Sequence, residues 1–267
     1  MDIYVANDTT NNFLYINDGT GHFEEKGILA GVSGDDAGVN TGSMGVVLGD
    51  ADGDGRPDLW VTNFERELFA LYRNDGDRLF SFVTRTAGLA SLGGLYVGFG
   101  TVMLDYDFDG DRDIVVANGH VSYQPSQGSY KQSPLLIENL GKGRFRRTRP
   151  GGYFREKHTG RGVAYADLNN DGVRELIFSH TEERASILAN SKAPARWATV
   201  ELIGRGSNRD AIGASIEYQS GGQTYLYQRS SGGSYLSHSD PRLQLFVPED
   251  YTDVSVNIRW PSGQVET

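Results

Sequence analysis

Cysteine is absent from the sequence, so the fold has no disulfide framework and no thiolate to act as nucleophile or soft metal ligand. No apolar run approaches the ~18 residues expected of a membrane-spanning helix, and no signal-peptide pattern opens the chain. Long amphipathic helical periodicity is missing too; the nearest helix candidate, around Glu182 to Asn190, is short. Lys and Arg number 25 against 35 Asp and Glu, a net charge of −10, so there is no basic stripe of the kind nucleic acid requires. No G-x-S-x-G elbow, P-loop or dinucleotide fingerprint occurs.

What is present in quantity is glycine, 35 residues, together with 14 Tyr and 12 Phe, a composition that suits many short strands joined by tight turns. The most informative stretch is Asp50-Ala51-Asp52-Gly53-Asp54-Gly55-Arg56-Pro57-Asp58, followed by the apolar run Leu59-Trp60-Val61. Carboxylates at positions 1, 3 and 5 converge if the backbone curls around one point. Glycine at position 6 permits the sharp turn, and position 9 returns another carboxylate. So many like charges repel unless a cation sits among them. The pattern recurs as Asp105-Tyr106-Asp107-Phe108-Asp109-Gly110-Asp111-Arg112-Asp113 and as Asp167-Leu168-Asn169-Asn170-Asp171-Gly172-Val173-Arg174-Glu175.

The expected ligands are the side chains at positions 1, 3, 5 and 9, namely Asp50, Asp52, Asp54 and Asp58; Asp105, Asp107, Asp109 and Asp113; and Asp167, Asn169, Asp171 and Glu175. Position 7 contributes a backbone carbonyl, from Arg56, Asp111 or Val173. Oxygen donors without His or Cys favour Ca²⁺ at all three sites, with Mg²⁺ and Mn²⁺ as second choices. An EF-hand is excluded, because its loop needs Glu at position 12 and here Val61, Val116 and Phe178 stand there inside β-rich runs. Setting aside the eleven ligand carboxylates leaves 24 acidic residues against 25 basic ones, so the acidity belongs largely to the loops.

Each loop is preceded by a Gly-rich strand, at Gly45–Gly49, Gly98–Leu104 and Gly162–Ala166. Each is followed by another strand, at Asp58–Asn63, Asp113–Asn118 and Glu175–His180. Hairpins come next, with Asn and Phe six apart: Asn17 and Phe23, Asn74 and Phe80, Asn139 and Phe145. Ile187 to Asn190 gives a partial echo. Asp2 to Asn7 fits the strand template with Asp2 at position 9, so the sequence reads as a fragment beginning inside a repeat. Four-stranded units at this period indicate an all-β fold, a partial β-propeller of about three to four blades.

These repeats resemble the FG-GAP repeats of integrin α-subunit propellers and the related VCBS-type repeats of bacterial exported proteins. The Phe-Gly step of that signature is Phe99-Gly100, replaced by Met44-Gly45 and Arg161-Gly162 in the other units. The resemblance covers 1–190. Register stops near Ser191-Lys192-Ala193-Pro194, and a second domain is placed at 195–267. Its Trp197-Ala198-Thr199-Val200, Gly206 to Ala214, Gly232 to Ser237, Asp240-Pro241-Arg242-Leu243 and Trp260-Pro261-Ser262-Gly263 are similar to the ASPIC/UnbV domain of cartilage-acidic-protein-like proteins. Leu245-Phe246-Val247-Pro248 departs from that family's Phe-Gly-Leu-Gly step, and the chain stops where the family continues, so the C-terminus also reads as cut. Without the family, this region is still a small antiparallel β module, with a hairpin of Ala214–Tyr218 and Gln223–Gln228 about Ser220-Gly221-Gly222 and a strand at Val254–Trp260.

The five His residues, 22, 120, 158, 180 and 238, are scattered, with no pair at metal-ligand spacing. Asn208-Arg209-Asp210 and Asp240-Pro241-Arg242 read as turn chemistry in preference to the alternative of a polar binding surface. Tyr123, Tyr130 and Tyr153 fall in expected loops and are candidates for contact with a sugar or peptide. The expectation is a non-enzymatic, calcium-binding propeller module for adhesion or recognition of a protein or glycan, outside the cytoplasm: extracellular, at the cell surface or periplasmic. The alternative is part of a calcium-dependent polysaccharide lyase, which would need a base beside an open coordination position.

Overall fold

The structure is a computed structural model that describes residues 1–92, 94–126, 128–194, 196–206, 208–220, 223–247 and 254–267. Among the described residues helix is confined to single turns: α1 (Gly27–Ala30) and 3₁₀ turns at Ala90–Leu92 and Gly152–Arg155. The remaining regular secondary structure of the described residues is antiparallel β, in line with the all-β expectation. The first sheet holds β1 (Ile3–Val5), β2 (Phe13–Asn17) and β3 (Phe23–Glu25). The second holds β4 (Val46–Gly49), β5 (Asp58–Val61), β6 (Ala70–Gly76) and β7 (Leu79–Phe82). The third is β8 (Gly98–Leu104), β9 (Asp113–Asn118), β10 (Leu135–Asn139) and β11 (Phe145–Thr148). The fourth is β12 (Gly160–Ala166), β13 (Glu175–His180) and β14 (Ser186–Leu188).

In all four sheets spatial order follows sequence order, as in propeller blades. Strands β4, β8 and β12 lie side by side at the inner edge, and β1 takes the place in its blade that β5, β9 and β13 take in theirs. Residues 182–190 form no helix. Ile187 and Leu188 pair with Ile177 and Leu176 of β13, because an apolar strand edge was open to them, and this corrects the helix candidate.

Near-continuous apolar runs in the middle strands are explained by burial on both faces. Side chains alternate sides along a strand. Ile114 and Val116 of β9 join Trp60, Phe69, Leu71 and Met103 in the core between the second and third blades. Their neighbours Val115 and Ala117 join Leu136, Val163 and Phe178 in the core between the third and fourth. Leu59, Val61 and Tyr72 face Leu14 and Ile16 across the first gap. Fully burying one such side chain contributes roughly 1.5–3 kcal/mol.

Glycine in the inner strands has a steric cause. A Cβ on Gly45 would lie within 3 Å of the Phe99 carbonyl, and one on Gly100 within 3 Å of the Val163 amide, each on the next blade. One on Gly162 would meet the Ser237 hydroxyl, so the C-terminal segment stands where a further inner strand would.

That segment belongs to a module of two sheets. One pairs β15 (Trp197–Val200) with β18 (Leu243–Phe246); the other has the order β17 (Gln223–Gln228), β16 (Ser215–Ser220), β19 (Val256–Arg259), β20 (Val265–Glu266). Gly221, Gly222 and Pro248 lie outside the described residues. Ser234 touches three blades at once. Its amide donates to the Val46 carbonyl (2.6 Å), its hydroxyl donates to the Val163 carbonyl (2.8 Å), and the Thr101 amide donates to that hydroxyl (3.0 Å). Beside it Tyr235 meets the Phe99 ring edge-on, and Asp240 and Ser239 bond the backbone of Tyr165.

Candidate metal loops

The three acidic loops are the turns between inner and second strands, β4–β5, β8–β9 and β12–β13, and they curl in the same way. Position 1 gathers amides of its own loop. Asp50 Oδ1 accepts from Gly53 N (2.8 Å) and Oδ2 from Gly55 N (2.9 Å). Asp105 accepts from Phe108 N (2.7 Å) and Gly110 N (2.9 Å). Asp167 accepts from Asp171 N (3.1 Å) and Gly172 N (3.0 Å). Gly55, Gly110 and Gly172 at position 6 have φ of 83°, 97° and 84°, left-handed values that favour glycine. In every loop the position-7 amide, of Arg56, Asp111 or Val173, donates to the position-5 carboxylate, Asp54, Asp109 or Asp171.

Position 9 ties the loop to the blade. Asp58 is buried and accepts from Ala51 N (2.8 Å) and Asn74 N (2.7 Å). Asp113, also buried, accepts from Tyr106 N (3.0 Å) and Asn139 N (2.8 Å). Glu175 accepts from Leu168 N (2.9 Å). Asp2 repeats this arrangement with Asn17 N (2.9 Å). The hairpin Asn therefore serves the loop as a clamp: Asn74 Nδ2 donates to the Pro57 carbonyl (3.0 Å) and Asn139 Nδ2 to the Arg112 carbonyl (3.1 Å). This role was missed from sequence, although the constant Asn-to-Phe distance was its signal.

Among the described residues, Asp50, Asp52 and Asp58 can each bring one oxygen within 4.8 Å of the others, and so can Asp105, Asp107 and Asp113. Position 5 stands apart from these triads: Asp54 is engaged by the Arg56 guanidinium. Burial is the chief cause that pushes Asp58 up to about 7, Asp105 to about 6 and Asp113 to about 8, with neighbouring carboxylates adding to it. Asp52, Asp109 and Asp111 are raised for the same reasons. Asp107 Oδ1 is shielded from solvent and has no hydrogen-bond partner among the described residues, a lone pair that a cation would satisfy. The donor set is all oxygen and fits a hard divalent ion.

The third loop differs. Asn169 replaces a carboxylate, and Asn169 Nδ2 donates to Asp171 (2.8 Å). Arg242, paired with Asp240, donates to the Asp167 carbonyl (3.0 Å) and to Asn170 Oδ1 (2.7 Å). Gln244 donates to the Gly172 carbonyl, and Trp197 lies where a Cβ on Gly172 would be. The loop is thus a docking surface for the C-terminal module, so Asp240 and Arg242 act beyond their own turn.

No helix among the described residues is long and apolar enough to cross a membrane. The family model for FG-GAP-like repeats matches residues 1–61 and 105–178, and that for ASPIC and UnbV matches 204–267. Cartilage acidic protein 1 of Xenopus tropicalis is 27% identical over 285 residues, covering 100% of this chain and 40% of the relative. The mouse and human proteins of that name are each 25% identical, covering 99% of this chain and 40% and 39% of their own. The chain thus spans about two fifths of the length of these relatives. A solved Agrocybe aegerita lectin, described by its recognition of non-reducing terminal N-acetylglucosamine, aligns with TM-score 0.37 and 17% identity over 71% of this chain and 49% of its own. With the repeat model matching half the sequence, the chain belongs to the FG-GAP-like repeat family, and its C-terminal part matches ASPIC and UnbV.

Proposed function

We propose that the chain is a non-catalytic propeller module braced by calcium at its acidic loops, which displays the opposite loops for adhesion or recognition of a protein or glycan. The observation that carries this reading is the convergence of Asp105, Asp107 and Asp113, of which Asp107 keeps a shielded, unpartnered Oδ1, together with the like triad of Asp50, Asp52 and Asp58. Bound calcium supplies the positive charge that lets these buried carboxylates remain ionised. The chain's own residues do the rest. Position-1 carboxylates hold the turn by accepting loop amides, and position-9 carboxylates, clamped by Asn74 and Asn139, lock it to the second strand.

The third loop is the weakest of the three, since it has one carboxylate fewer and the Arg242 guanidinium already sits on it. A site with fewer carboxylates, such as the third loop, suits an extracellular or periplasmic setting, where calcium is plentiful. Calorimetric titration of the 267-residue chain with calcium tests the proposal. Two tighter sites and one weaker are expected, one tighter site vanishing in Asp107→Ala and the other in Asp52→Ala. No heat of binding, or a stoichiometry untouched by both substitutions, overturns it. Turnover of a uronate polysaccharide by the calcium-loaded chain would favour a lyase instead.

A further inference from the structure

His158 and His180 are 22 residues apart in the sequence, yet the fold brings them together. Gly160 pairs with His180 across β12 and β13, which sets His158 beside the end of β13. The two imidazole centroids are 5.1 Å apart, and Glu183 from the following turn completes a group. One ligand atom from each of His158, His180 and Glu183 falls within 4.8 Å of the others. The cluster sits at the end of the fourth blade opposite its acidic loop, which joins the other ends of the same two strands.

We propose that His158, His180 and Glu183 form a second kind of metal site, one for a zinc-class transition ion rather than calcium. Two imidazoles and one carboxylate are the donor set that zinc prefers, whereas calcium takes oxygen ligands.

The surroundings orient these groups as metal ligands are oriented. His180 Nδ1 lies 2.8 Å from the Arg184 carbonyl, which can only accept, so Nδ1 carries the proton and Nε2 keeps its lone pair. The Tyr153 hydroxyl donates to that Nε2 lone pair at 2.7 Å, and an ion bound there would take its place. His158 turns Nδ1 toward Glu183 Oε2 at 2.9 Å, which makes Nδ1 the nitrogen that faces the other donors, and its Nε2 points away from Glu183.

Backbone pairing holds the donors in place. His158 exchanges both backbone hydrogen bonds with Gln132 of the third blade (2.8 and 3.0 Å), and Thr181 N donates to the Thr159 carbonyl (2.9 Å). Lys131 engages the other oxygen of Glu183 at 2.9 Å, so that carboxylate can hold the lysine on one side and an ion on the other. Side-chain exposures of 13% for His158 and 22% for Glu183 leave a route for an ion while keeping most water out.

The experiment titrates the full chain with zinc in saturating calcium, so that the acidic loops are occupied. One zinc equivalent is expected, weakened at least tenfold in His180→Asn and in His158→Asn, with calcium binding unchanged in both. Cobalt(II) should give the visible absorption of a low-symmetry nitrogen–oxygen site in the unsubstituted protein, a readout that needs no variant to fold. Zinc binding abolished by calcium places the ion in the acidic loops and overturns the proposal, as does affinity unmoved by either substitution. An unsubstituted protein that takes up neither zinc nor cobalt overturns it as well.

Discussion

Removal of calcium by EDTA from protein held in about 1 mM calcium is expected to lower the melting temperature by about 10 °C. The estimate starts from the two carboxylate triads, Asp50–Asp52–Asp58 and Asp105–Asp107–Asp113. With a dissociation constant of about 10 µM, at the weak end of sensor sites, about 1 mM calcium stabilises the folded state by ~2.7 kcal/mol per site. Two sites give ~5.4 kcal/mol. An unfolding entropy of ~2.1 cal/mol/K per residue, over 267 residues, is ~0.56 kcal/mol/K, and the quotient is the predicted shift. Differential scanning calorimetry reads it directly. Asp107→Ala should show about half the shift on chelation, because one triad is lost. An identical melting temperature with calcium and with EDTA would refute the idea that these loops are braced by an ion.

Gly100→Ala should destabilise by about 2 kcal/mol or more in denaturant unfolding, since the new Cβ meets the backbone of Arg161 to Val163, which cannot move aside like a side chain. Gly206→Ala, with open space around it, is the matched control and should be near neutral. Ser234→Ala removes the acceptor for the Thr101 amide and the donor to Val163, and about 1–3 kcal/mol of destabilisation is expected by the same assay. Arg242→Ala should release the C-terminal module from the third loop, read as faster limited proteolysis between the fourth blade and β15; unchanged cleavage would show that Gln244 and Trp197 suffice for docking.

The blades were legible because their signals are local. Short apolar runs, tight Asn/Gly turns and acidic loops at a constant offset each reside within about ten residues, and β4 to β13 follow from them. The segment around Ile187 was legible only in part: Ile187 to Asn190 echoes the hairpin strand of the other repeats, while pairing with Leu176 and Ile177 is what rules out the short helix candidate there. Long-range placement was illegible. Nothing in Gly232 to Ser237 announces that Ser234 will bond Val46, Thr101 and Val163, since each partner is distant in sequence and the contacts use a small hydroxyl and backbone atoms. His158 and His180 looked scattered for the same reason, because β12–β13 register, rather than spacing, sets them side by side. Within the loops the sequence pointed to positions 1, 3, 5 and 9. The geometry groups 1, 3 and 9, with Asp54 at position 5 engaged by Arg56, a contact that depends on side-chain direction alone.

The most direct measurement is anomalous diffraction from crystals of the chain grown in millimolar calcium. Peaks are predicted within the Asp50–Asp58 and Asp105–Asp113 loops, with a weaker one in Asp167–Glu175. Maps showing only solvent-strength density among those carboxylates would contradict the account.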